Sequence, residues 1–150
     1  MTEMNKWNQA LVFGAITRVK LQHILDKLAE TEDLTGQQMV VLLGLRNNGV
    51  SSVGKISDTF LLKQTNVSSL IKKMEQTGLL MRQRNGEDVR IVDLSLTKEG
   101  NEKVDRLIER IEASYQKLKD DNSVQFEFEE LRKSFLDISQ IIDYFYKQEF

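Results

Sequence analysis

The side chains able to do chemistry form a narrow set. The chain has 150 residues, no cysteine, no proline and one histidine, His23. A cysteine nucleophile, a thiol redox switch, a disulfide scaffold and cysteine zinc ligation are therefore excluded. One histidine argues against a multi-histidine metal site, and His23 reads as an ordinary surface residue. The sequence has no glycine-rich phosphate loop, no metal-ligand spacing and no nucleophile with a base nearby, so the expectation is no enzyme, no cofactor and no metal. What remains is hydrogen-bonding and cationic chemistry. On a helix over 64–77, Val67, Leu70, Ile71 and Met74 cluster on one side. Thr65, Ser69, Lys72 and Gln76 lie opposite, flanked by Asn66, Ser68 and Lys73, with Glu75 at the edge. Ser, Thr, Asn and Gln can read base edges, while Lys mostly supplies phosphate charge. A solvated amphipathic helix would show the same pattern.

A second group follows. Arg82, Arg84 and Arg90 lie on or beside an Asn85-Gly86 turn, a pair that accepts positive φ. An arginine at a hairpin tip can enter the minor groove. Asp88, two residues before Arg90, could hold that guanidinium in a bidentate pair. An exposed hairpin charged for solubility is the plainer alternative.

The elements that must position these residues are legible from periodicity. Trp7, Leu11, Gly14, Leu21, Leu25 and Leu28 mark a helix over 6–30. Thr35 is the expected N-cap of a helix over 36–46, which Asn47-Asn48-Gly49 ends. A short helix over 52–59 and the helix from Gln64 or Thr65 to about Thr77 follow, with Gly78 as its stop. Strands over 79–84 and 89–96 flank the turn, with Val92, Leu94 and Leu96 on one face. Thr97 caps a fifth helix carrying Val104, Leu107, Ile108, Ile111, Tyr115 and Leu118, which breaks at 120–123. A last helix carries Phe128, Leu131, Phe135, Ile138, Ile142 and Phe145. The expected fold is mainly α with a small β-hairpin wing. A winged helix-turn-helix lobe over 34–100 is joined to terminal helices, 5–30 and 98–148, that form a dimerisation region. Their apolar stripes need partners, most economically those of a second copy.

Formal net charge is −2, but it is unevenly spread: residues 1–45 sum to −1, 46–98 to +4 and 99–150 to −5. A basic middle flanked by acidic ends suits a nucleic-acid partner for the middle, although a swing of this size also arises by chance. No apolar run approaches the ~20 residues needed to cross a bilayer. The polar segment Met1 to Gln9 lacks the apolar core of a secretory signal. A soluble cytoplasmic protein with no membrane partner is the expectation.

An ordered set of short motifs carries a resemblance. Leu34-Thr35-Gly36-Gln37-Gln38 and Val41-Leu42-Leu43 come first. Gly78-Leu79-Leu80-Met81-Arg82, Asp88-Val89-Arg90 and Leu96-Thr97-Lys98-Glu99-Gly100 follow in order. Together they resemble the MarR family of bacterial transcriptional regulators over residues 34–100. The chain departs from the family pattern at Val89, where many members carry an arginine, and at Ile56-Ser57, where members often show Leu-Ala. The resemblance implies a homodimeric repressor on a pseudo-palindromic duplex operator. It implies base or phosphate contacts from Gln64, Thr65, Asn66, Ser68, Ser69 and Lys72. It places Arg90 in the minor groove oriented by Asp88, and gives Lys55, Lys73, Arg82 and Arg84 phosphate contacts. It also implies a small aromatic or phenolic effector in a cleft drawing on Phe13, Ile16, Leu42 and Leu107. The competing class is a winged-helix protein-protein interaction module that has lost DNA binding, which would show no duplex affinity even at ~50 mM salt.

Overall fold

The computed structural model describes residues 3–47, 52–84, 92–121 and 125–148. Helix α1 spans Glu3–Glu30, α2 Gly36–Arg46, α3 Val53–Phe60 and α4 Gln64–Gln76. Strands β1 (Leu80–Arg84) and β2 (Val92–Leu96) follow, then α5 (Lys98–Asp120) and α6 (Phe128–Tyr146). Element order and type match the periodicity reading. The first helix starts three residues earlier than expected, and the third is shifted because Ser52 serves as its N-cap. Of the expected second strand, 89–91 lie outside the described residues, as do Asn48-Gly49 and the Asn85-Gly86 turn.

Local chemistry sets the boundaries. Thr35 Oγ1 accepts the Gln38 N–H at 3.3 Å while Gln38 Oε1 accepts the Thr35 N–H at 2.8 Å, closing a capping box at the start of α2. Ser52 Oγ accepts the Lys55 N–H at 3.2 Å at the start of α3. Leu61 takes a left-handed conformation, φ 50°, to turn the chain from α3 into α4. The Ser57 hydroxyl braces that turn by donating to the Leu62 carbonyl at 2.6 Å. Gly78, φ 72°, ends α4 in the conformation that glycine adopts without a Cβ clash. Thr97 Oγ1 accepts the Gly100 N–H at 3.0 Å, the cap expected for α5.

The strands are antiparallel, with Leu80 opposite Leu96, Arg82 opposite Leu94 and Arg84 opposite Val92. Ser52 adds an isolated bridge to Asp93, tying the entry of α3 to the hairpin. The chain forms two compact units, Met1–Arg110 and Ile111–Phe150, with the boundary inside α5. In the first unit, Met39 and Leu42 of α2, Ile56 of α3 and Val67, Ile71 and Met74 of α4 are buried with Leu80, Leu94, Val104 and Leu107 in one core. Ala29 of α1 joins them. Further along α1, Trp7 is 51% and Phe13 69% exposed, with Leu11, Val12, Ile16, Val19, Leu21 and Ile24 also exposed. In the second unit, Tyr115 and Phe126 meet edge to face at 6.2 Å, and Phe128, Phe135, Ile138 and Ile142 of α6 are exposed.

Candidate nucleic-acid interface

Helix α4 buries one side and leaves the other exposed. Val67, Ile71 and Met74 are fully buried in the core, and α4 packs on α3 and the first strand of the hairpin. That anchoring leaves Gln64, Thr65, Asn66, Ser69, Lys72 and Lys73 exposed and Ser68 partly so. From Gln64 to Met74 the helix carries no acid. The Ser69 hydroxyl donates to the Thr65 carbonyl at 3.0 Å, leaving its lone pairs as acceptors. Lys63, the N-cap residue, makes no side-chain cap, and its carbonyl accepts the Asn66 N–H at 2.9 Å and the Val67 N–H at 3.2 Å. Lys55 is exposed on α3, one helix earlier.

The remaining expected contacts divide. Arg82 is engaged: its Nε lies 3.2 Å from Glu75 Oε2 at the end of α4. Lys73 lines a cavity of about 560 Å³ together with Glu30, Asp33, Gln38 and Glu99, so part of its environment is acidic. Arg84 holds its register position opposite Val92. Asp88 and Arg90 lie outside the described residues. Leu42 and Leu107 are fully buried in the lobe core, whereas Phe13 and Ile16 are exposed on α1. His23 is exposed, and no group of three or more metal-binding side chains occurs among the described residues.

Sequence reasoning missed a second charged assembly. Glu32, in the turn between α1 and α2, is only 5% exposed. Its carboxylate accepts from Arg106 Nε at 2.8 Å, and Arg110 Nε lies 3.8 Å away. Lys103 Nζ donates to the Glu32 backbone carbonyl at 2.6 Å. The Glu32 hydrogen bond raises the Arg106 guanidinium above its ordinary pKa. The signal was available in part: Lys103, Arg106 and Arg110 recur at helical spacing on one side of α5. Nothing in the sequence said that Glu32 would be the group beneath them. Arg46 adds a further tie, from the end of α2 to Asp105 at 2.6 Å and to Asn101.

Three helices, a two-stranded wing and a helix face free of acid from Gln64 to Met74 define a winged helix-turn-helix lobe. Residues 23–107 match the sequence profile of the SarA/Rot transcriptional regulators. The chain belongs to that family, whose winged helix is of the MarR type. It is 32% identical over 89 residues to the transcriptional repressor MdtR of Bacillus subtilis, covering 59% of this chain and 57% of that protein. The matches to the first curated relatives span between 50% and 63% of those proteins' lengths. Among solved structures, the MarR regulator of Oenococcus oeni superposes with a TM-score of 0.70 at 22% identity, covering 87% of this chain and 96% of that one. The Staphylococcus aureus MepR–DNA complex superposes at 0.66 and 20% identity, covering 91% and 97%. At these identities the structural likeness speaks for the fold.

Proposed function

We propose that the chain is a sequence-specific double-stranded DNA-binding transcriptional regulator: a ligand-responsive, homodimeric repressor of a pseudo-palindromic operator. The observation that carries this reading is the exposed polar face of α4, free of acid from Gln64 to Met74, in a lobe whose hairpin follows directly. Gln64, Thr65, Asn66, Ser68 and Ser69 suit base edges near the start of the helix, and Lys72 suits phosphate further on. Arg90, oriented by Asp88, is the minor-groove residue of the same reading.

Homodimerisation is supported by the apolar residues that a single chain leaves exposed on α1 and, separately, on α6. Such long apolar faces exceed what monomeric surfaces ordinarily carry. Two lobes on one dimer would address half-sites about one helical turn apart, ~34 Å. An effector would act by binding one lobe arrangement better than another.

Selection of genomic fragments by the purified protein tests the reading, with light scattering to give the mass in solution. A recurring palindrome bound by a dimer is expected. Fragments without a shared sequence, or none retained at ~50 mM salt, would instead support the protein-interaction alternative. Arg90→Ala should weaken duplex binding and lower the slope of log affinity against log salt by about 0.9. Release of the bound duplex by a hydroxybenzoate, without unfolding, tests the effector.

A further inference from the structure

Arg82 leaves β1 on the same side as Leu80, because side chains alternate along a strand, and its cross-strand neighbour is Leu94. Both leucines are buried in the core that includes Met74 and Ile71 of α4. Met81 and Gln83 stand on the other face and are exposed. The Arg82 stem is therefore carried towards α4 at the edge of the core, where its Nε meets Glu75 Oε2 at 3.2 Å. The backbone between the two is tightly held. The Gly78 N–H donates to the Glu75 carbonyl at 3.0 Å and the Leu79 N–H to the Met74 carbonyl at 2.9 Å. The Thr97 hydroxyl donates to the Gly78 carbonyl. The Glu75–Arg82 pair adds a side-chain tie across the same joint.

We propose that Glu75 is a positioning residue for DNA recognition. By holding Arg82 it sets the base of the wing relative to the C-terminal end of α4, and Arg82 serves as the clasp and neutralises no phosphate. The proposal rests on the DNA-binding reading above. Both side chains are about two-fifths exposed, 38% and 40%, so the pair is weak as a stabiliser. Its effect is on geometry: the helix that would enter the major groove and the wing that would enter the minor groove must keep one spacing to engage together.

The test uses Glu75→Gln, Arg82→Gln, the double variant and the reversed pair Glu75→Arg with Arg82→Glu. Two readouts are taken: hydrogen exchange of the β1 amides without DNA, and affinity across a salt series for a mixed-sequence duplex about three helical turns long. Each single variant should speed β1 exchange and weaken duplex binding by about two- to fivefold, with the salt slope unchanged. The double variant should be no worse than either single one, and the reversed pair should recover both readouts. A salt slope lowered by about 0.9 in Arg82→Gln, or tighter binding by Glu75→Gln, would make Arg82 a phosphate contact and overturn the proposal. Unchanged exchange with intact duplex binding overturns the clasp alone. A wild-type protein that binds no duplex at ~50 mM salt overturns the DNA reading and, with it, any role in recognition.

Discussion

Replacing Gly100 with alanine should destabilise the lobe, against the usual helix trend. Gly100 is buried in the first turn of α5. A Cβ there would stand 2.0 Å from the Leu79 carbonyl oxygen and 3.1 Å from the Leu79 carbonyl carbon. Carbon and oxygen meet comfortably at about 3.3 Å, so the overlap exceeds about 1 Å and falls on backbone. Leu79 cannot simply retreat, since its carbonyl accepts the Thr97 N–H at 3.2 Å and its own N–H donates to the Met74 carbonyl at 2.9 Å. Helix propensity alone would favour alanine by about 1 kcal/mol. Overpacking a joint of this kind costs about 1–3 kcal/mol or more. Loosening the Thr97–Leu79 hydrogen bond adds about 1 kcal/mol. The net expectation is a loss of about 1–3 kcal/mol, the steric term outweighing propensity. Gly54 supplies the internal control: it lies near the start of α3 with nothing within 4 Å of a built Cβ. Gly54→Ala should be neutral or stabilise by up to about 1 kcal/mol. Urea unfolding followed by far-ultraviolet circular dichroism measures both. A Gly100→Ala midpoint at or above wild type, with an unchanged slope, would refute the claim that the Leu79 carbonyl occupies that space.

Three further outcomes follow from other parts of the lobe. Thr35→Ala removes the acceptor for the Gln38 N–H and should cost about 1 kcal/mol in urea unfolding, while Thr35→Ser should cost far less. Glu32→Gln removes the charge opposite Arg106 and Arg110, both about half-exposed, and should cost about 1 kcal/mol at low salt and less at high salt; a loss that does not change with salt would count against an ionic tie. Lys72→Ala should weaken binding to every duplex alike and lower the salt slope by about 0.9; sequence-dependent weakening would assign Lys72 to a base edge instead.

The turn and cap chemistry was readable residue by residue because it is local. Thr35 and Thr97 cap where a hydroxyl precedes an apolar repeat, and Gly78 stops α4 where the chain must take positive φ. The inward face of α4 was equally legible, since Val67, Ile71 and Met74 recur at helical spacing and are buried. The Leu96-to-Gly100 motif was also visible, but its reason was not. Gly100 is required by the Leu79 carbonyl, a contact made across the fold between residues that no periodicity links. The cationic residues were the least legible. Arg82 and Lys73 looked alike in the sequence, yet Arg82 pairs with Glu75, and Lys73 lines a cavity with Glu30, Asp33, Glu99 and Lys103. A charge in a sequence does not state its partner, because an ion pair depends on where two distant backbones come together.

By itself, the sequence determined the order and type of the elements, the polarity of each helix face and the absence of any thiol chemistry. These depend on hydrogen-bond geometry and hydrophobic periodicity within a few residues. Only the tertiary structure decided which charges are committed. Glu32 is buried beneath Arg106 and Arg110 although 74 residues separate it from the nearer of them in sequence. Arg82 is turned inward by strand alternation to meet Glu75. Leu42 and Leu107 became core because α2 and α5 contribute them to one cluster. Burial and pairing are properties of packed surfaces, and packing is settled only when all the elements are in place.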